Sequence, residues 1–183
     1  VFQFCYLVNI EHFYSKRKKK LSGLVFFRIL STLKMSPSNY FYGANMTAQL
    51  RWLGPNMQLE GKTASGQIVK LDSTSDKAAA IGPSPVELVL QALGGCTAMD
   101  IVSILRKMRR TIRSLTLELD AERREEYPRI FTHIHILYTL VSPDVTEHEL
   151  ERAIQLSEEK YCSVSGMLRP TVNITTSYAL RQA

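Results

Sequence analysis

The sequence predicts an α+β fold, and three observations carry that expectation. Several segments after Met46 alternate apolar and polar residues with the period of two that marks half-buried strands. Two others open on a capping box, Ser84-Pro85-Val86-Glu87 and Thr146-Glu147-His148-Glu149, and continue at helical spacing. The 183 residues, 45% hydrophobic and 22% charged, suit one globular domain with a tail rather than a disordered chain. No run approaches the roughly 20 uninterrupted apolar residues of a membrane-spanning helix, so a soluble protein is expected.

Residues 1–45 differ in composition from the rest. They hold seven Lys and Arg side chains against one acid, Glu11, so the formal charge of +6 belongs to them and residues 46–183 are neutral. The run Lys16–Lys20 and the apolar stretch after it resemble a secretory leader, but Arg28 interrupts the stretch and no small-residue cleavage site follows. No regular basic face or stacking platform accompanies the cluster, which argues against nucleic acid and against a membrane surface. Because the chain opens on Val1 and regular patterning starts at Met46, residues 1–45 are read as a disordered extension or upstream read-through.

From there the elements follow in order. Thr47–Trp52, Met57–Gly61 and Gln67–Leu71 are short strand-like runs parted by Gly54-Pro55-Asn56 and Ser65-Gly66, the pattern of an antiparallel meander. A helix starts at the Ser84 box and runs to about Arg109; Val86–Leu93 is apolar on nearly every side, which predicts a central helix buried on more than one face. In Leu115–Ala121 the odd positions are apolar, giving a strand with one wet face. In Ile130–Leu140 the even positions Ile130, Thr132, Ile134, Ile136, Tyr138 and Leu140 form the expected buried face, with Tyr127-Pro128 in the hairpin connection. The Thr146 box opens an amphipathic helix presenting Leu150, Ala153, Ile154, Ser157 and Tyr161. A short turn or helix over Ser163–Leu168 and a last strand over Val172–Leu180 complete the chain.

Three cysteines, Cys5, Cys96 and Cys162, are too few and too dispersed for a disulfide scaffold or a four-ligand zinc site, and suit a reducing compartment. Cys96 follows Gly94-Gly95 inside the central helix, where each glycine costs roughly 1 kcal/mol relative to Ala. A neighbouring helix against the glycines, or a ligand reaching Cys96, would account for them. Cys162 falls where one helix ends and the next turn begins, where free N–H groups can favour a thiolate. Spacing alone reads both equally as small buried hydrophobes. His133 and His135 share one strand face in the manner of a metal pair, but only the distant His148 offers a third ligand, so they are read as solvent or interface histidines.

The phrases Pro83-Ser84-Pro85-Val86-Glu87-Leu88, Gly94-Gly95-Cys96 and Tyr161-Cys162-Ser163-Val164-Ser165 ahead of an alternating strand resemble the OsmC/Ohr superfamily of thiol-dependent hydroperoxide reductases. Ser103-Ile104-Leu105, Glu122–Glu126, Phe131-Thr132-His133-Ile134 and Val172-Asn173-Ile174-Thr175 make its YhfA-like branch the nearest match, across essentially all of 46–183. The resemblance implies two central helices wrapped by antiparallel sheets in an intertwined homodimer with interfacial active sites. Carried over by position, it makes Cys96 the peroxidatic and Cys162 the resolving cysteine of an antioxidant oxidoreductase in a cytoplasmic stress response. No cofactor or metal is implied. The implied partners are a small hydroperoxide or apolar ligand and a dithiol or lipoylated-protein reductant.

Two departures from the peroxidase pattern favour a second reading, a non-catalytic dimeric binding or redox-sensing protein of the same fold. Peroxidase members have Pro-Glu at the start of the central helix, whereas here Pro85-Val86 moves the acid to Glu87, about 100° further round and used as a cap. Their activating arginine has no counterpart in 72–83, where Lys77 is the cation. Arg51, Arg123 and Arg124 are read as surface charges, the last two paired with Glu122, Glu125 and Glu126.

Overall fold

The computed structural model describes residues 46–183 except 75, 77 and 78. The expectations for residues 1–45, Cys5 included, and for Lys77 lie outside the described residues. The short runs form a three-stranded antiparallel sheet of β1 (Ala48–Trp52), β2 (Gln58–Thr63) and β3 (Ile68–Asp72). At the end of β3 the Asp72 carboxylate is buried, yet burial is outweighed by donation from the Ile81 and Thr74 amides and the Gln58 side chain, which hold it below the usual range. These bonds tie the sheet to the segment leading into the first helix. A Cβ on Gly82 would lie 2.1 Å from the Lys70 carbonyl oxygen, so only glycine fits that approach.

Helix α1 (Pro85–Lys107) has the expected box, with the Glu87 amide donating to Ser84 Oγ at 3.3 Å and Glu87 Oε2 accepting from the Ser84 amide at 2.7 Å. By length and mean hydropathy it could cross a membrane, although Glu87, Gln91, Thr97, Asp100 and Ser103 interrupt its apolar run, as the sequence shows. Here it packs as a core helix: Leu93, Ile101 and Leu105 are fully buried against the elements that follow. Burial on more than one face is not found among the described residues, since Val89 and Met99 on the outward side are exposed. The glycine pair divides likewise. A Cβ on Gly94 would come within 2.9 Å of Leu119 Cδ1, so a strand and not a helix makes the close approach, while Gly95 faces open space.

The second sheet has the order β4-β5-β6: β4 (Ser114–Arg123), β5 (Phe131–Ser142) and β6 (Asn173–Gln182). The β4–β5 pair is antiparallel and keeps its alternation until Glu122 pairs with His133 and Arg123 with Phe131. Thr132 is the unpaired extra residue of that bulge, so Thr132 is exposed and Phe131 takes the buried side, reversing the expected assignment there. Ile130 precedes the strand and is exposed. β6 pairs with β5 in parallel, the one departure from the expected antiparallel sheets. Between them the chain crosses back through α2 (Glu147–Leu156), a π-turn (Ser157–Tyr161) and α3 (Ser163–Leu168), the kind of connection parallel neighbours require. Ile134, Ile136, Tyr138 and Leu140 of β5 meet Leu150 and Ala153 of α2 and the inner face of α1 in one core. Each Leu and Ile among them contributes about 1.5–3 kcal/mol by burial.

Candidate functional site

The site begins with winding. In an α-helix, Tyr161 would stand one turn above Ser157 and share its buried face, as the sequence suggested. The observed turn is wider: the Cys162 amide bonds the Ser157 carbonyl at 2.8 Å, an i to i+5 bond. Cys162 therefore comes over Ser157, and Tyr161 is carried out to solvent. Continued α-winding would have put Cys162 about 140° away from Ser157. Turns of this kind recur at functional sites.

On the facing surface, α1 supplies Cys96 and, four residues on and so on the same side, Asp100. The Cys96 Sγ, the Cys162 Sγ and an Asp100 carboxylate oxygen all lie within 4.8 Å of one another. Both cysteines are free thiols; Cys96 is half-buried and Cys162 is 5% exposed. The Ser157 hydroxyl donates to Asp100 Oδ2 at 2.9 Å, joining the π-turn to α1 beside the thiols. The Ser165 amide donates to Cys162 Sγ at 3.3 Å, as expected for a residue at the start of a helix. That single donor does not produce a thiolate. Burial, with the neighbouring Cys96 thiol and the Asp100 charge, pushes the Cys162 thiol up to about 11, correcting the sequence expectation.

Behind the pair, β5 contributes Tyr138, whose buried hydroxyl makes no hydrogen bond of good geometry and is pushed up to about 12, chiefly by burial, with the neighbouring Thr97 hydroxyl working against the shift. The Thr97 hydroxyl nearby is turned back onto the Leu93 and Gly94 carbonyls. Arg169 is the cation on this side: its guanidinium donates to Ser165 Oγ at 2.9 Å and pairs with Glu158 at 3.1 Å. The other Glu158 oxygen is buried and unpartnered.

The arginines weighed from sequence are engaged elsewhere. Arg51 pairs with Glu60, Arg123 donates to the Arg129 carbonyl, and Arg124 donates to the Pro128 carbonyl. The latter two thus bind hairpin carbonyls where pairing with Glu122, Glu125 and Glu126 was expected. His135 bonds Thr175 and Ser177 on β6, His133 bonds Thr175, and His148 is exposed. Sequence reasoning brought forward the two cysteines but passed over Asp100, Ser157 and Tyr138. For Asp100 the signal was present, an acid one helical turn from a cysteine.

Residues 75–177 match the family model described as OsmC-like protein. Protein YhfA of Escherichia coli K12 is 46% identical over 134 residues, which are 73% of this chain and 96% of that protein. Among solved structures, a hypothetical protein from Aquifex aeolicus VF5 is 31% identical with a TM-score of 0.68, the match covering 77% of this chain and 99% of that one. An OsmC-like protein from Mycoplasma pneumoniae shares the fold at 18% identity and a TM-score of 0.63, over 75% and 96% of the two chains.

Proposed function

Because the chain belongs to the OsmC-like family, we propose that it is a thiol-dependent reductase of organic hydroperoxides acting through Cys96 and Cys162. The observation that carries this reading is the approach of the two free thiols beside one carboxylate. Cys96, the more accessible, attacks the distal peroxide oxygen as a thiolate; the O–O bond breaks, the alkoxide takes up a proton and leaves as the alcohol, and Cys96 becomes a sulfenic acid. Cys162 then attacks that sulfur, the hydroxyl departs as water, and a Cys96–Cys162 disulfide remains. Asp100 lies where it can take the Cys162 proton. A small dithiol or a lipoylated protein reduces the disulfide by two exchange steps and leaves oxidised. Direct bonding protects Cys96 from further oxidation.

The domain responsible is residues 46–183, working as a homodimer in the cytoplasm, with neither nucleic acid nor membrane as a partner. Its outward apolar side chains support the dimer: Met99 on α1 is 76% exposed, and Leu50 and Trp52 on β1 are 62% and 65% exposed. A second reading, a binding or redox-sensing protein without turnover, is favoured by one observation: Arg51, Arg123 and Arg124 are all engaged away from the thiols. The test separates the two. Wild type supplied with cumene hydroperoxide and a dithiol consumes peroxide catalytically, Cys96→Ser does not, and Cys162→Ser slows at the recycling stage. Equal consumption by wild type and Cys96→Ser would sink the enzyme reading.

A further inference from the structure

We propose that, in the reduced protein, Cys96, Asp100 and Cys162 form a three-ligand site for a thiophilic divalent cation, with zinc the best fit. The donor set comes first. Two sulfurs and one carboxylate oxygen already lie within 4.8 Å of one another. A tetrahedral zinc with Zn–S near 2.3 Å and Zn–O near 2.0–2.2 Å sets its donors about 3.5–3.8 Å apart, so each side chain needs to move by no more than about 1 Å. Two thiolates with one oxygen select zinc over magnesium or calcium.

The scaffold is also of the kind that holds a metal. Cys96 and Asp100 stand one turn apart on α1, the spacing by which a helix offers two ligands from one face. The π-turn brings the third ligand against them. Asp100 is already oriented by the Ser157 hydroxyl at 2.9 Å, a supporting contact of the sort that fixes metal-bound carboxylates. The Ser165 amide on Cys162 Sγ is a donor suited to a bound thiolate. Cys96 is half-buried, which leaves the fourth position to water or an added ligand.

Binding converts two thiols to thiolates and releases two protons per ion. The metal and the disulfide exclude each other. A hydroperoxide that oxidises the pair takes two electrons from the thiolates, becomes alcohol and water with two protons, and frees the cation. This assignment shares its sulfurs with the redox reading but does not depend on turnover.

The test uses the full chain, reduced with a phosphine, desalted without oxygen, and titrated with Co2+ alone and with Zn2+ alone against a chromophoric chelator. Peroxide consumption is measured separately on the same preparation. One ion per chain and a thiolate-to-cobalt charge-transfer band are expected. Cys96→Ser and Cys162→Ser abolish the band, and Asp100→Asn weakens zinc by about 10-fold or more. Ser157→Ala, which keeps every ligand but removes the bond orienting Asp100, weakens it by about 10- to 100-fold and answers for an Asp100→Asn protein that fails to fold. Cys5→Ser changes neither readout. No cobalt band at micromolar metal, binding that survives loss of both cysteines, or Asp100→Asn binding as tightly as wild type would overturn the proposal. Peroxide turnover without metal binding overturns this inference alone; metal binding without turnover overturns the enzyme reading alone.

Discussion

Cys162 should react as a thiol far weaker in acidity than a free cysteine, and the size of the effect follows from its surroundings. The side chain is 5% exposed, next to a second thiol and the Asp100 charge, with one amide donor from Ser165 in opposition. With its titration pushed up to about 11, roughly one molecule in 10^4 carries the thiolate at pH 7. A free cysteine near 8.5 would carry about one in 30, so loss of thiolate alone slows Cys162 by about 300-fold, of which the greater nucleophilicity of a higher-pKa thiolate gives back about tenfold before any steric shielding is counted. The perturbation is pH itself. Reduced protein is pulsed with iodoacetamide from pH 6 to 10.5, and the peptide containing Cys162 is quantified by mass spectrometry in folded protein and in urea. In urea the rate should level off near the free-thiol value of roughly 8.5. In the folded protein it should rise about tenfold per pH step of one throughout the range. A plateau by pH 9 in the folded protein, or reaction at pH 7 as fast as in urea, would show that burial, Cys96 and Asp100 do not hold the Cys162 thiol protonated as described.

Other expectations follow from neighbouring residues. Tyr138→Phe removes a buried hydroxyl that makes no hydrogen bond of good geometry, so stability in urea should rise by about 1 kcal/mol; a loss of that size would mean the hydroxyl is bonded. Gly95→Ala, where an added Cβ meets nothing within 4 Å, should stabilise by up to about 1 kcal/mol through helix propensity. Gly94→Val, pressed against Leu119, should cost about 1–3 kcal/mol, and equal effects at the two positions would contradict the packing described. Arg110 donates to Glu149 Oε1 at 2.9 and 2.6 Å and holds its carboxyl near 2 against an ordinary 4.5. Because that value is depressed, the contribution is complete above 4.5 and is lost as pH falls towards 2. The stability difference between wild type and Glu149→Gln should therefore close over that window, and a difference independent of pH would count against the pair.

Some of this was legible in the residues and some could not have been. The wet and dry faces of β4 can be read directly, because Leu115, Leu117, Leu119 and Ala121 alternate without interruption. Thr132 obeys the same arithmetic and breaks it, because a bulge arises from pairing with β4 and not from the order of residues along β5. A period of two is identical for parallel and antiparallel neighbours, which is why the direction of β6 was hidden. Both capping boxes are local chemistry and appeared where expected. The π-turn is not local: a helical wheel at 100° per residue sends Tyr161 inward and Cys162 away, and only the i to i+5 bond reverses them. The resemblance paired Cys96 with Cys162, whereas their separation in sequence said nothing. Asp100 reads as an ordinary helix acid until Ser157 and Cys162 are seen beside it.

If the proposed function holds, Cys96 and Cys162 form one redox couple. The direct measurement is a peptide map, without reductant, of protein treated with one equivalent of an organic hydroperoxide per chain. A Cys96 peptide joined to a Cys162 peptide, with the loss of two hydrogens, is expected. A Cys96 sulfinic acid beside an intact Cys162 thiol, or two thiols left unchanged, would contradict it.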